Sequence, residues 1–229
     1  MKKLFAYFSK MEIILWSVSA FFIVSSFCIF DRESYLTLIA SLIGVTSLIF
    51  NAKGNPIGQA LMIAFSLLYG FISYTFAYYG EMITYLGMTM PMAVFALIAW
   101  LKNPYQGNKA EVKVNSISKA EQFLMGLLSL IVTVAFYLIL KYFNTANIIP
   151  STISVTTSFL AVYLTFRRCP TFALAYAAND IVLIVLWMLA SLTDIRYISV
   201  VVCFVAFLFN DIYGYISWQK MKIRQRENG

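Results

Sequence analysis

The stretch FLFNDIYGYISWQK, residues 207–220, lies near the end of the chain and is apolar enough to span a membrane. It nevertheless contains the amide of Asn210 followed directly by the carboxylate of Asp211. A charged side chain near the centre of a bilayer costs roughly 3 kcal/mol or more, so such residues usually face a protein interior or a wet cavity. A second pair of the same kind, Asn179-Asp180, lies in the preceding apolar run. The two pairs predict a polar site inside a bundle of membrane-spanning helices.

The composition indicates a polytopic membrane protein. Of the 229 residues, 61% are hydrophobic and 12% are charged, and the mean hydropathy is +0.79. Mostly apolar runs of about 17 to 25 residues follow one another closely, and they lack the alternation of barrel strands. Only helices or closed barrels satisfy the backbone in lipid, so the predicted fold is all-α.

Several kinds of site are disfavoured by the residues present. The chain has no histidine, which excludes His-based metal sites and Ser-His or Cys-His nucleophiles. Its three cysteines show no CxxC spacing, and no phosphate-binding glycine loop is present. We therefore expect no metal site, no cofactor, no catalytic residue and no ATP-driven transport by this chain alone.

Basic residues orient the predicted helices in the membrane. Eight spanning segments are predicted at about 12–30, 34–51, 56–79, 82–101, 120–142, 148–166, 171–191 and 196–218. With the N-terminus inside, the outer turns hold only Arg32, Lys141 and Arg196, so fourteen of the 17 basic residues, Lys2 and Lys3 included, fall inside. This bias predicts cytoplasmic termini. It assigns the net charge of +7 to topology and to attraction by the lipid bilayer, rather than to nucleic acid.

A weak internal repeat divides the chain at the polar stretch 102–119. The turn NAKGNP, residues 51–56, matches the turn FRRCP, residues 166–170, and each proline opens a pair of helices that closes on Trp100 or Trp218. Internal repeats are common in secondary transporters, which hold the substrate at the repeat interface. Two copies of three helices need one joining helix to share an orientation. The sequence therefore predicts an N-terminal extra helix followed by a 3+1+3 arrangement.

The predicted parts have the following boundaries. The extra helix lies in residues 1–33 and the first three-helix repeat in 34–103. The cytoplasmic linker and the joining helix lie in 104–145, and the second three-helix repeat with a basic cytoplasmic tail lies in 146–229.

Depth in the membrane predicts that the two Asn-Asp pairs meet. Counted from the turn between Thr193 and Asp194, Asn179 lies about 14 residues back and Asn210 about 16 forward, a difference of a few ångströms at ~1.5 Å per residue. We predict that both pairs, including Asp180 and Asp211, line a substrate site, with the two asparagines as the leading candidates. The alternative is that these groups only hold helices together by hydrogen bonds.

Aromatic and hydroxyl side chains add candidates to the site. Tyr176 and Tyr213 lie three residues from Asn179 and Asn210, so each can share a helix face with its asparagine. Tyr69 and Tyr74 lie deep enough for their hydroxyls to need partners. A flat, cationic ligand suits this combination because tyrosine faces attract cations.

Seven further positions carry structural predictions. Pro91 breaks a backbone hydrogen bond in the fourth segment, and it either exposes Thr89 to the site or only shapes packing. Glu81 is predicted to be solvated in an outer turn. Trp16, Trp100 and Trp218 lie toward helix ends and are predicted to anchor the lipid interface. Gly70 and Gly214 are predicted to allow close helix approach.

The chain resembles the PnuC family of bacterial vitamin transporters. The residues that carry the resemblance are GNP at 54–56, LYGFISY at 68–74, WLKNP at 100–104, ND at 179–180, NDIYG at 210–214 and WQK at 218–220. The resemblance implies a 3+1+3 fold related to full-length SWEET sugar transporters, a place in the bacterial inner membrane, and often a homotrimer. The family's best-known substrate is nicotinamide riboside. Members that carry it often have tryptophans on the helix of the binding asparagine, where this chain reads FALAYAAN at 172–179.

The leading functional hypothesis is facilitated uptake of nicotinamide riboside by alternating access. A cytoplasmic kinase would trap the substrate, because an uncoupled carrier only equilibrates it. Thiamine or riboflavin is the alternative cargo, and the two aspartates leave proton coupling open. An intramembrane aspartyl enzyme is an alternative of another class, and it would need both carboxyl groups to converge. A sensory or scaffolding protein is a third class, which the short loops disfavour.

Overall fold

The computed structural model describes residues 7–75, 78–145 and 147–228 and shows an all-helical membrane protein with one short hairpin. Within these residues, eight helices are long and apolar enough to span a membrane. They are α1 (Lys10–Phe30), α2 (Tyr35–Ala52), α3 (Ile57–Thr75), α4 (Tyr79–Leu101), α5 (Lys119–Tyr142), α6 (Ile148–Phe166), α7 (Phe172–Ser191) and α8 (Ile198–Glu227). Lys2 and Lys3, which the topology prediction uses, lie outside the described residues.

Most helix ends fall within three residues of the prediction, and two do not. The described part of α3 ends at Thr75, and residues 76 and 77 of the predicted third segment lie outside the described residues. α8 continues to Glu227, so the predicted tail is helical over most of its length. The last turns of α8 are held by the linker, because Gln225 Oε1 accepts a hydrogen bond from Val114 N at 2.8 Å.

The winding of α4 changes midway because of a proline. Pro91 has no N–H to donate to the carbonyl of Gly87, four residues earlier. Residues Tyr85–Thr89 form a π-helical turn, which is closed by a bond from Met90 N to Tyr85 O. Such turns are frequent at functional sites. The sequence therefore indicated where the hydrogen bonding of α4 is interrupted, and the structure shows that a π-helical turn forms there.

Part of the predicted linker folds into an antiparallel hairpin, which the sequence analysis did not predict. Its strands are β1 (Pro104–Tyr105) and β2 (Asn108–Val112). The turn residues Gln106 and Gly107 both have positive φ, 46° and 79°, as a tight hairpin turn requires. The strands are too short to show the alternation that predicts a strand from sequence. We call this end of the bundle the hairpin end and the opposite one the far end.

Two turns at the hairpin end share one backbone conformation, as their sequence match predicts. Gly54 and Arg168 occupy equivalent positions in these turns, with φ of 65° and 56°. Both carbonyl oxygens accept a hydrogen bond from the linker. Val112 N donates to Gly54 O at 2.9 Å, and Asn115 N donates to Arg168 O at 3.0 Å. The linker therefore holds both turns in the same way.

Trp100 and Trp218 are buried between helices, which corrects the prediction that they anchor the lipid interface. Both are 0% exposed, and their ring centroids are 5.4 Å apart. Trp100 Nε1 donates to Thr165 O at 3.0 Å, and Trp218 Nε1 donates to Asn51 O at 2.7 Å. The last carbonyls of a helix lack partners within it, so they are available as acceptors. Trp16 is 40% exposed and stays at the surface.

The helices form two groups, α2–α4 and α6–α8, with α1 and α5 outside them. The groups meet where α2 packs against α8 and where α4 packs against α6, while α1 contacts α2 and α8 and α5 contacts mainly α6. Gly70 permits the close approach of α3 and α4 that was predicted, because a Cβ there would lie 2.6 Å from Leu86 Cγ. Gly214 has room for a methyl group, since its nearest neighbour would be Ala173 Cβ at 3.7 Å.

Candidate functional site

A cavity lies at the centre of the bundle, where the two groups of helices meet. All six helices of the two groups line it, whereas no residue of α1 or α5 does. The lining residues are Leu48, Met62, Phe65, Tyr85, Thr89, Ser158, Tyr176, Asn179, Asp180, Phe204, Phe207 and Asp211. Thr89, Tyr176, Asn179, Asp180 and Asp211 are the predicted site residues that the structure brings together here.

The cavity is occluded in this conformation. Its lining residues are buried, apart from the partly buried Tyr176. Its volume is about 20 Å³, which is about the space of one water molecule. An organic molecule could enter only if the helices moved apart. The structure therefore shows this cavity closed, with polar and aromatic side chains around it.

The carboxyl groups of Asp180 and Asp211 face each other in the cavity. They lie within hydrogen-bonding reach of each other, and the residues are 3% and 4% exposed. Oδ2 of Asp180 has no hydrogen-bond partner in the part of the chain that the structure describes. Among the described residues, none that lines the cavity is basic, and two adjacent buried carboxylates cannot both stay ionised without a compensating positive charge. The pair therefore requires a proton or a cationic ligand.

Asn179 is held in a fixed orientation by two hydroxyl groups of α6. Thr157 Oγ1 and Ser158 Oγ donate to its side-chain oxygen at 2.8 and 3.0 Å. Because both donors use the oxygen, the NH₂ group is the part of Asn179 that can donate to a ligand. Asn179 thus offers a positioned hydrogen-bond donor beside the carboxyl pair.

Aromatic rings form much of the remaining wall, and the sequence analysis identified only Tyr176 among them. Tyr85 is a missed lining residue, although it lies four residues before Thr89 and shares its helix face. Tyr69, a predicted site residue, lies directly behind the wall, with its ring centroid 4.4 Å from that of Tyr85 and 5.5 Å from that of Phe65. The lining phenylalanines carry no sequence signal that separates them from ordinary core residues.

Asn210 and Tyr213 face α1, which corrects the prediction that they line the site. Asn210 Nδ2 donates to Ser19 Oγ at 2.9 Å, and Tyr213 OH donates to Glu12 Oε1 at 3.2 Å. Successive residues of an α-helix point about 100° apart, since one turn takes 3.6 residues. The orientation of α8 that carries Asp211 into the cavity therefore turns Asn210 and Tyr213 toward the extra helix.

Tyr74 and Glu81 also differ from their predictions. Tyr74 is 56% exposed and contacts Tyr79 at a centroid distance of 6.2 Å, so it lies outside the cavity. Glu81 is only 1% exposed, although it was predicted to be solvated. α4 already begins at Tyr79 and turns Glu81 inward, where Ser154 Oγ lies 3.5 Å from its Oε1. Glu81 is therefore a further buried carboxyl group of the bundle, one helical turn from Tyr85.

Comparisons with known proteins agree with the membrane-transporter architecture. The sequence model of a family described as "Nicotinamide mononucleotide transporter" matches residues 34–220, which leaves α1 outside the match. The "Nicotinamide riboside transporter PnuC" of Neisseria mucosa is 26% identical over 197 residues, which make up 84% of this chain and 75% of that protein. A solved structure described as "Crystal structure of the Vitamin B3 transporter PnuC" superposes with a TM-score of 0.82 at 24% identity, over 95% of this chain and 94% of that one.

Proposed function

The chain belongs to the nicotinamide mononucleotide transporter family, and on this premise we propose that it carries nicotinamide riboside across the membrane. The observation that supports this cargo most is the buried pair of Asp180 and Asp211, which requires a positive charge in a cavity walled by aromatic rings. Nicotinamide riboside brings a flat, positively charged pyridinium ring and a ribose with hydroxyl groups. The ring faces of Tyr85 and Tyr176 attract such a cation, and Asn179 can donate to an oxygen of the ligand.

The cavity favours the riboside over the mononucleotide. The two molecules differ by a phosphate group, which carries a charge of about −1.5 to −2 at neutral pH. Proteins bind phosphate with arginine, lysine or the N-terminus of a helix, and no basic residue of the described part of the chain lines this cavity. Two carboxyl groups would repel the phosphate while attracting the pyridinium. The name of the curated relative agrees with the riboside.

Thiamine is the competing cargo that the same chemistry allows. It is also a flat cation, so the carboxyl pair does not distinguish it from nicotinamide riboside. Riboflavin has no such charge, so with this cargo the pair would need a proton instead. The printed names of the relatives refer to vitamin B3 and nicotinamide riboside, which is why we place that compound first.

Transport would proceed by alternating access between two three-helix repeats, α2–α4 and α6–α8, with α5 as the joining helix. The matched turns at Gly54 and Arg168 support this division, and so do the two tryptophans, each of which donates to a carbonyl of the other group. Two clusters of aromatic rings would act as the gates: Trp100, Phe172 and Trp218 pack together toward the hairpin end, and Tyr78, Trp187 and Tyr197 pack together toward the far end. Opening one layer at a time would expose the cavity to each side in turn.

The carrier would be uncoupled, and a cytoplasmic kinase would trap the riboside as its phosphate. Both termini would lie in the cytoplasm of a bacterial cell, with the hairpin end facing it, and the assembly would be a homotrimer.

The convergence of Asp180 and Asp211 is also the geometry that an aspartyl enzyme needs. The relatives are transporters, however, and the protein is not an enzyme.

Uptake into liposomes tests the proposed function. Purified protein should bring labelled nicotinamide riboside to equal concentrations inside and outside, without a sodium or proton gradient. Excess thiamine should compete weakly and the mononucleotide should not compete. Asp180→Asn combined with Asp211→Asn should abolish uptake, whereas Asp194→Asn, which removes a carboxylate paired with Arg196 outside the cavity, should leave it unchanged.

Two outcomes would overturn parts of the proposal. Liposomes that take up thiamine but not the riboside would reassign the cargo. Accumulation above equilibrium that disappears when the proton gradient is collapsed would replace the uncoupled mechanism with a coupled one.

A further inference from the structure

A second cleft opens on the surface of the bundle between α4 and α6, close to the hairpin end. It has an apolar part and a basic rim, and none of its lining residues is acidic. The apolar part contains Phe95, Ile98 and Phe166, and the rim contains Lys102, Arg167 and Arg168. Phe95 and Ile98 are 54% and 44% exposed on the surface that faces lipid. The transport site does not use this cleft, because the two share no lining residue.

The positive charge of the rim is not fully compensated. Arg167 is paired with the carboxylate of Glu121. The Nε and Nη1 atoms of Arg168 are buried and have no hydrogen-bond partner within the described chain. Burial, together with the neighbouring charge of Arg167, lowers the pKa of the Arg168 guanidinium below its ordinary value. Donor groups of a cation that are removed from water without a partner favour the binding of an anion.

The backbone of Arg168 points to a role for its side chain. Its φ of 56° lies in the left-handed region, which glycine adopts at no steric cost and other residues rarely adopt. The equivalent position of the first copy is Gly54, with φ of 65°. Asn115 holds the strained turn in place, since its backbone N donates to Arg168 O at 3.0 Å and its Nδ2 donates to Arg167 O at 3.1 Å. Glycine would adopt this φ with less strain. The presence of an arginine here therefore indicates that its guanidinium has a binding role.

We propose that this cleft binds an anionic phospholipid, with its phosphate on Arg168 and Lys102 and an acyl chain along Phe95, Ile98 and Phe166. The rim lies where α4 and α6 end, at Leu101 and Phe166, which is the level of the headgroups of the leaflet at the hairpin end. Basic pockets between spanning helices on the cytoplasmic side are known to suit acidic headgroups. A soluble anion would leave the apolar part of the cleft unused, which is why the geometry favours a lipid.

The bound lipid would stabilise a contact between the two helix groups. The cleft lies where α4 meets α6, beside the hydrogen bond from Trp100 Nε1 to Thr165 O. A lipid that touches both helices adds contacts to the conformation in which they are close. It would therefore favour closure at the hairpin end and slow any step that separates α4 from α6.

Native mass spectrometry of the delipidated, purified protein tests the proposal. Wild-type protein should bind one phosphatidylglycerol per chain at least fivefold more tightly than phosphatidylcholine of the same acyl composition. Arg168→Gly copies the residue of the first repeat, so it should fold with an unchanged thermal midpoint while losing that preference. Arg226→Ala is the matched control, because it removes one exposed arginine of α8 that does not line the cleft.

The alternatives give distinct results. Equal binding of phosphatidylcholine, or full retention of the preference in Arg168→Gly, would overturn the proposal. Complete displacement of the lipid by millimolar glycerol phosphate would show that the phosphate alone is recognised, against the role given to the apolar part. If Arg168→Gly fails to fold, Lys102→Gln, which changes an exposed side chain, must show the same loss for the proposal to stand.

Discussion

The side-chain amides of Asn179 and Asn210 have different partners although the two residues lie at similar depth. Asn179 lines the cavity and is oriented by Thr157 and Ser158, whereas Asn210 is bonded to Ser19 on α1. The first is placed to touch a ligand, and the second holds the extra helix against the bundle. This difference can be measured with one matched pair of substitutions.

Asn179→Ala should weaken binding of nicotinamide riboside about tenfold, which corresponds to ~1.4 kcal/mol and to the loss of one ligand hydrogen bond. Asn210→Ala should keep the affinity within about threefold while lowering the stability of the protein by ~1 kcal/mol, because a buried helix-to-helix hydrogen bond is lost. Titration calorimetry and thermal unfolding of the two variants separate these effects. Equal loss of affinity in both would contradict the assignment.

The sequence predicted the depth of the Asn-Asp residues in the membrane but not the direction in which their side chains point. The helical rise places both Asn-Asp pairs at one level in the membrane. The structure brings Asp180 and Asp211 into the lining of one cavity there. The rotation of α8 about its axis depends on what packs around it. α1 packs against one side of α8, and Asn210 faces α1 rather than the cavity. The sequence of α8 alone does not indicate which helix packs there.

Among the elements, α4 has the feature most closely tied to the site. Its π-helical turn, Tyr85–Thr89, contributes both of the α4 side chains that line the cavity. The sequence identified the break at Pro91 because the missing N–H is a local property. It could not choose between exposure of Thr89 and simple packing, because that choice depends on how the neighbouring helices are placed.

Pro91→Ala should restore a donor to the carbonyl of Gly87 and favour an ordinary α-helical turn. Tyr85 and Thr89 would then rotate relative to the cavity, so we expect at least a tenfold loss of transport rate with the protein still folded. Pro150→Ala is the control, because Pro150 lies in the first turn of α6, where its N–H would have no partner within the helix. Comparable transport losses in both variants would show that the π-helical turn has no specific role.

At the scale of the whole molecule, the sequence predicts a repeat from features that are local. Matched prolines, turns and tryptophans recur at similar spacing, and the two turns share the left-handed residue seen at Gly54 and Arg168. The burial of Trp100 and Trp218 could not be read from their positions near helix ends. It depends on acceptor carbonyls at Asn51 and Thr165, which only the packing of the two groups brings close.

We propose that the cavity, which has two carboxyl groups and no basic side chain among the described residues, selects the cationic riboside over its phosphate. Calorimetric titration of the purified protein with nicotinamide riboside and with nicotinamide mononucleotide tests it most directly, with Asp180→Asn as the companion variant. We expect wild-type protein to bind the riboside at least tenfold more tightly than the mononucleotide, and we expect Asp180→Asn to reduce this preference. Equal or tighter binding of the mononucleotide by the wild-type protein would contradict it.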